Sequence, residues 1–306
     1  MTTQQLGHDL TTTRAPFIEE ARNRGNLFIR QPYELYSETN QETWRRLYAR
    51  ILPRWRKHAN ARFLEGLERL SLNPRRIPRL EDINRFLAPL TGFKARAVSG
   101  YVPSYLFFDC LRRREFPTTI TIRPAENLDY LPEPDIFHDL AGHVPMHTDP
   151  VFADVLARIG EVAHGAALSV LEVPDLAERT RRMESMIKAM ARFFWFTIEF
   201  GLMRAPQGGV RVYGSGLLSS RDEIVHAVGS RDVQRHPFQM EWVVNQYFEI
   251  DHFQPLLFVI DSFEHLQREV DRLERWVRRG KLSNVSPGEP EINETDLQSF
   301  LEGARE

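Results

Sequence analysis

The stretch "EPDIFHDLAGHVPMH", residues 133–147, holds His138 and His143, with Asp135 and Asp139 beside the first and Gly142 and Pro145 beside the second. Each imidazole nitrogen offers either a lone pair or an N–H near neutral pH, so two buried rings this close make separate hydrogen bonds or share a cation. On an α-helix, residues five apart differ by about 140° after one full turn, whereas i and i+4 differ by about 40°. The pair is therefore not the HExxH arrangement of zinc proteases. Convergence on one ion requires the chain to bend or tighten at the helix end, where Gly142 and Pro145 loosen and stop a helix. Spacing alone leaves two readings open: a shared metal, or two independent histidines, one capping and one in the core.

A third donor would decide between them, and Glu199 in "MARFFWFTIEFGL" is a candidate. Phe193, Phe194, Trp195, Phe196, Ile198, Phe200 and Leu202 surround it on every helical face, so the sequence predicts a largely buried carboxylate. An ionised carboxylate in that setting is costly unless a cation or strong donors meet it. The partner is a metal or an arginine such as Arg192 or Arg96. Two histidines and one carboxylate on one side of a metal leave positions for oxygen and substrate, the pattern of mononuclear non-haem Fe(II) oxygenases. A zinc hydrolase could use the same ligands, but it needs a general base beside the metal-bound water. The adjacent candidate, Asp139, has the wrong spacing for that motif.

The elements that must position these residues read as mostly helical. "ETWRRLYARILPRWRKHANARFLEGLERL" has helical spacing broken by Pro53, and "IPRLEDINRFLAPLTGF" is a further helix ending at Gly92. "FPTTITIRP" alternates as a short strand closed by Pro124. "DPVFADVLARIGEVAHGAALSVL" and "RTRRMESMIKAMARFFWFTIEFGLM" are helical, the second ending near "PQGG". "VRVYGSG" and "LLFVID" are short strands, "SFEHLQREVDRLERWVRRG" is an amphipathic helix, and "KLSNVSPGEPEINE" is a linker. The expected organisation is a disordered tail over 1–16, one catalytic domain over 17–280, and a linker with a short C-terminal segment over 281–306.

Composition narrows the class. At 306 residues, 42% hydrophobic and 27% charged, the chain falls outside the disordered, collagenous and membrane classes. A net charge of −2 supplies no bulk field for nucleic acid or anionic lipid. Cys110 is the only cysteine, so no intrachain disulfide forms. The first residues have no apolar core of a signal peptide, and runs such as "PLLFVI" are too short to span a bilayer. A cytoplasmic monomer with a small-molecule substrate, and with no nucleic-acid or membrane partner, is the simplest expectation.

Several long motifs together resemble the pterin-dependent aromatic amino acid hydroxylases, and their bacterial phenylalanine hydroxylase branch in particular. They are "TGFKARAVSG", "RPAENLDYLPEPDIFHDLAGHVP", "DPVFAD", "ARFFWFTIEFGL", "YGSGLLSS" and "FQPLLFVIDSF", in the family's order over roughly residues 30 to 270. The resemblance implies a mostly helical, basket-like catalytic domain with short β-strands. It implies Fe(II) held by His138, His143 and Glu199, with a tetrahydropterin cofactor and dioxygen as co-substrate. By the same resemblance Phe107 in "SYLFFDCL" matches the aromatic on which the pterin stacks, with Phe108 its rival, and Gly100 and Val102 match the turn lining that site. Arg123 matches the arginine that pairs with the amino acid's carboxylate, a task suited to a guanidinium fork. Asp135 and Ser219 match groups that orient ligands and substrate. Trp195 and Pro134 match pocket walls, and Trp195 favours phenylalanine over tryptophan, with tyrosine or tryptophan hydroxylation as the alternatives within the family.

The chain departs from the family pattern at four positions. Phe194 stands where a tyrosine is usual, substrate-side Leu131 where a polar residue is, Ala141 where a bulky apolar residue is, and Ser215 where an alanine is. The 55 residues between His143 and Glu199 form a longer interval than the family's, with the excess expected in "LEVPDLAERTRRMES". The product expected from phenylalanine is tyrosine or, through these departures, meta-tyrosine for a specialised pathway.

Overall fold

The computed structural model describes residues 10–11, 15–129 and 133–303, the last three by their backbone alone. Most of the tail expected over 1–16 lies outside the described residues. Of its described members, Leu10 and Ala15 are buried, and the Leu10 carbonyl accepts from the Ile122 N–H at 2.9 Å. Helix Pro16–Asn23 opens on a proline, whose missing N–H costs a first turn nothing. The chain forms two compact units, each drawn from three stretches. The first comprises Met1–Val102, Phe116–Pro150 and Ser215–Gly229; the second comprises Pro103–Glu115, Val151–Gly214 and Ser230–Glu306.

The first unit is organised by helix Glu38–His58, which starts at a capping box between Ser37 and Asn40. The break expected at Pro53 is absent: the helix runs through it to His58. Pro53 is exposed, while Trp44, Leu47, Tyr48, Ile51 and Trp55 are buried along the opposite face. At about 1.5–3 kcal/mol per large apolar side chain, that face outweighs the roughly 3 kcal/mol cost of an interior proline. The break comes instead at Asn60, whose side chain accepts from the Arg62 N–H and starts helix Ala61–Leu70.

The aromatic core of this helix reaches the histidines directly. Trp55 stacks on Phe137 with centroids 6.4 Å apart, and Trp44 meets Phe137 edge-on at 5.1 Å. Phe137 immediately precedes His138, so the core fixes where that imidazole starts. The Trp55 indole N–H also donates to the Leu218 carbonyl at 2.7 Å, which anchors the segment leading to Ser219. Strand Glu115–Thr119 pairs with Lys94–Val98 and is shorter than the expected strand. Beyond Phe116 the backbone N–H groups have other acceptors: Thr119 donates to Asp139, Ile122 to Leu10 and Arg123 to Asp135.

In the second unit, helix Pro150–Leu171 packs against helix Ser104–Arg112 at Gly160, where a Cβ would lie 2.4 Å from the Phe108 carbonyl oxygen. Helix Leu176–Phe194 begins at Asp175, which caps the Glu178 N–H, and covers most of the segment expected to hold the excess length. It widens into a π-helix over Trp195–Glu199. The helix expected to continue toward "PQGG" ends at Glu199, and Gly201 admits the close approach of Tyr213, since a Cβ there would sit 2.2 Å from both the Thr197 oxygen and the Tyr213 ring. Leu202–Arg204 is then free to be a strand. It lies in a four-stranded sheet in the order Val210–Val212, Leu202–Arg204, Leu256–Ile260, Gln234–Pro237. The first pair is antiparallel, with Leu202 opposite Val212, and the others are parallel. Among the described residues, no helix is long and apolar enough to cross a membrane.

Candidate active site

His138 and His143 begin and end a π-helix, His138–His143. Its i→i+5 hydrogen bonds enclose one residue more than those of an α-helix, so residues five apart are stacked rather than splayed. The chain therefore neither bends nor stops between the histidines, as the spacing argument required; it widens. The two Nε2 atoms face each other at 3.1 Å. Gly142 permits this because a Cβ there would lie 2.9 Å from the Ser215 carbonyl oxygen and 3.3 Å from the Ser219 Cβ.

Ser219 sets the proton on His138. The Ser219 hydroxyl donates to the Gly216 carbonyl at 3.1 Å, and its oxygen lies 2.8 Å from His138 Nδ1. With its single proton directed to Gly216, the hydroxyl accepts from Nδ1–H, which leaves the Nε2 lone pair aimed at His143. Two imidazole nitrogens at 3.1 Å need either one shared proton or a cation between them. His143 is buried and held by the Phe116 ring at 4.6 Å. The donor set suits a borderline divalent metal.

Asp139, not expected as a ligand, joins this group: among the described residues its carboxylate and the two imidazoles bring one donor atom each within 4.8 Å of one another. The i, i+1 neighbour of a histidine was the available signal. Asp139 Oδ2 already accepts from the Thr119 N–H at 2.6 Å, and burial pushes its carboxyl up to about 7.

Arg123 and Asp135 form a buried pair. Arg123 Nε and Nη2 donate to the two Asp135 oxygens at 2.7 and 2.9 Å, and Nη1 donates to the Asp129 carbonyl at 2.8 Å. Asp135 also accepts from the Arg123 and His138 backbone N–H groups at 3.0 and 2.9 Å. Burial works against both charges, but mutual attraction and these bonds hold the Asp135 carboxyl below its usual range and raise Arg123. The guanidinium fork implied for substrate thus lies first on Asp135. Among the described residues, three of its five N–H donors are used, one of them on Nε and one on each Nη.

Gly100 has φ +149°, a backbone conformation that favours glycine at this turn, and the Arg22 guanidinium lies against its Cα. Val102 is half-buried, and Pro134 is exposed. Leu131 lies outside the described residues. Ala141 and Ser215 are buried without exposure.

Three candidates belong to the second unit. Phe107, on helix Ser104–Arg112, is half-buried while Phe108 is buried, so Phe107 is the one accessible to a planar ligand. Phe108 and Phe194 meet it edge-on at 5.6 and 5.2 Å. Trp195 is stacked on Phe248 at 4.1 Å and donates to Gln254 at 3.1 Å. Glu199 closes the second π-helix and is half-buried, less enclosed than its apolar neighbours predict. Arg192, a candidate partner for it, donates to the Val244, Ser286, Pro287, Gly288 and Glu289 carbonyls.

Comparison with known proteins identifies the family. The profile of the family described as biopterin-dependent aromatic amino acid hydroxylase matches residues 29–283. A phenylalanine-4-hydroxylase of Caulobacter vibrioides is 42% identical over 239 residues, 78% of this chain and 76% of that protein. The crystal structure of Chromobacterium violaceum phenylalanine hydroxylase with bound oxidised Fe(III) superposes with a TM-score of 0.76 at 36% identity, covering 86% of this chain and 89% of that one. A second structure of that enzyme, with iron(III) and 7,8-dihydrobiopterin, gives 0.73 at 35% identity, covering 87% and 91%.

Proposed function

This chain belongs to the biopterin-dependent aromatic amino acid hydroxylases, and from that premise we propose that it is a phenylalanine hydroxylase acting on the free amino acid through iron and a tetrahydropterin. Residues 17–280 act as one catalytic domain. The observation that carries the reading is the 3.1 Å approach of two histidine Nε2 atoms on a π-helix, one of them held by Ser219 with its lone pair presented. Glu199 is assigned as the third ligand on the resemblance of "ARFFWFTIEFGL" to the family's motif, with Asp139, whose Oδ2 accepts from the Thr119 N–H, as a carboxylate beside the two histidines.

When bound, iron and the reduced pterin activate dioxygen so that one oxygen atom enters the aromatic ring. The protein's own residues bind and orient. The Arg123 guanidinium grips the substrate carboxylate, and Asp135 holds that guanidinium aligned. Phe107 stacks the pterin, with Gly100 and Val102 shaping its turn, and Trp195 and Pro134 bound the substrate ring. The named relatives act at position 4. Ala141 and Phe194, and Leu131 in the sequence, depart from the family pattern, and a misplacement of about 1 Å changes rates by orders of magnitude; the reading therefore includes appreciable 3-hydroxylation.

Incubation with phenylalanine, tyrosine and tryptophan, Fe(II) and a tetrahydropterin, with chromatography resolving para- from meta-tyrosine, tests both parts. Pterin-dependent conversion of phenylalanine is the expected result; its absence refutes the assignment, and para-tyrosine alone refutes the 3-hydroxylation.

A further inference from the structure

Helix Ser104–Arg112, which carries Phe107, follows Pro103 and has no side-chain cap at its own N-cap position. The first N–H groups of a helix need outside acceptors. Asp296, in helix Glu294–Gly303, supplies one across 192 residues of sequence. Its Oδ1 accepts from both the backbone N–H and the hydroxyl of Ser104, each at 2.9 Å. Its Oδ2 accepts from the Asn293 N–H at 3.3 Å, and its own N–H donates to Asn293 Oδ1 at 2.9 Å, so the carboxylate is held in place by its own helix start. Asp296 is only 1% exposed. A negative charge at that point also meets the positive end of the helix dipole.

The same two helices touch again one turn on, where Phe300 meets the Tyr105 ring edge-on at 5.4 Å. Tyr105 precedes Phe107 by two residues. The chain leading to Asp296, expected to be a linker, is tied down as well. Ser185 donates to the Leu282 carbonyl and accepts from the Val285 N–H, and Arg192 gathers four successive carbonyls from Ser286 to Glu289. Helix Glu294–Gly303 lies beyond residue 283, where the match to the family profile ends, so this cap reaches the Phe107 helix from outside the matched region.

We propose that Asp296 is a positioning residue for the pterin: by capping the Phe107 helix from outside the family-matched region, it holds the ring on which the cofactor stacks. The proposal rests on the assignment of Phe107 to the pterin, and the test separates the two. In the full-length, iron-loaded chain, binding of 7,8-dihydrobiopterin is measured by calorimetry alongside KM for tetrahydropterin and phenylalanine. Asp296→Ala weakens pterin binding about fivefold, the factor set by loss of one helix cap, and raises the pterin KM in step. KM for phenylalanine and iron per chain stay at parental values. Asp296→Asn keeps an acceptor oxygen without the charge and loses about twofold; it decides the question should the alanine variant not fold. Parental pterin affinity in these variants, or equal losses of pterin, phenylalanine and iron, overturns the proposal. Phe107→Ala is expected to lose about tenfold, as removal of a stacking aromatic does. Parental affinity there refutes the stacking assignment itself, whereas a loss there with none at Asp296 refutes only the positioning role.

Discussion

Removing the Ser219 hydroxyl isolates the hydrogen bond that sets the His138 tautomer. In the parent, Ser219 Oγ accepts from His138 Nδ1–H at 2.8 Å because its own hydroxyl donates to the Gly216 carbonyl at 3.1 Å. In Ser219→Ala the Nδ1–H has lost that acceptor, and an unsatisfied donor of this kind costs about 1–3 kcal/mol where it is buried. The His138 side chain is 16% exposed, so water relieves part of the cost and the loss belongs at the lower end. The ring is also released to the other tautomer, which places a proton on Nε2 and removes the lone pair facing His143. At 1.4 kcal/mol per factor of ten, the expected weakening of Fe(II) binding is about tenfold, within the range for residues that orient a metal-bound imidazole. Calorimetric titration of the apo-protein with Fe(II) under anaerobic conditions reads it directly, and a thermal melt with chelator present reports the fold separately. An Fe(II) affinity within about twofold of the parent, with an unchanged melt, would show that the hydrogen bond does not set the tautomer.

His138→Ala, His143→Ala and Glu199→Ala should each abolish hydroxylation and lower bound iron while the chelator-treated melt stays near the parent; one iron per chain with full activity in any of them refutes that ligand. Arg123→Lys should raise KM for the amino acid by about tenfold or more with little change in pterin affinity, since an ammonium cannot serve Asp135, the Asp129 carbonyl and a substrate carboxylate together; parental kinetics would confine Arg123 to a structural pair with Asp135.

The parts of this molecule that were legible in the sequence are those in which one physical period governs a long segment. The amphipathic helix Phe263–Arg278 and the helix ending at Gly92, which takes a left-handed φ of 78°, emerge where the pattern places them. Pattern reasoning has only the periods 3.6 and 2 at its disposal, so both π-helical segments were invisible to it, even though the five-residue interval between His138 and His143 is the natural repeat of an i→i+5 turn. An α-helical ruler made that interval look like an obstacle to shared ligation when it is the geometry that permits it. Strand Gln234–Pro237 was missed for a related reason: "QRHP" has no alternation, and its place is decided by pairing with Leu256–Ile260. Pro53 looks like a break in the sequence because its local cost is readable, while the five apolar residues it rides on act only once the helix is packed. The hydrogen bonds that shape the candidate site show the same limit most sharply. Ser219 reaches His138 across 81 residues and Asp296 reaches Ser104 across 192, and a short polar side chain carries no mark of which distant donor it will meet. Motif resemblance could supply the first of these, because Ser219 lies within a matched segment. It could not supply the second, since helix Glu294–Gly303 lies beyond the matched residues. What governs a buried carboxylate such as Asp296 is the unsatisfied start of another helix, and that demand becomes visible only when both ends of the bond are in place.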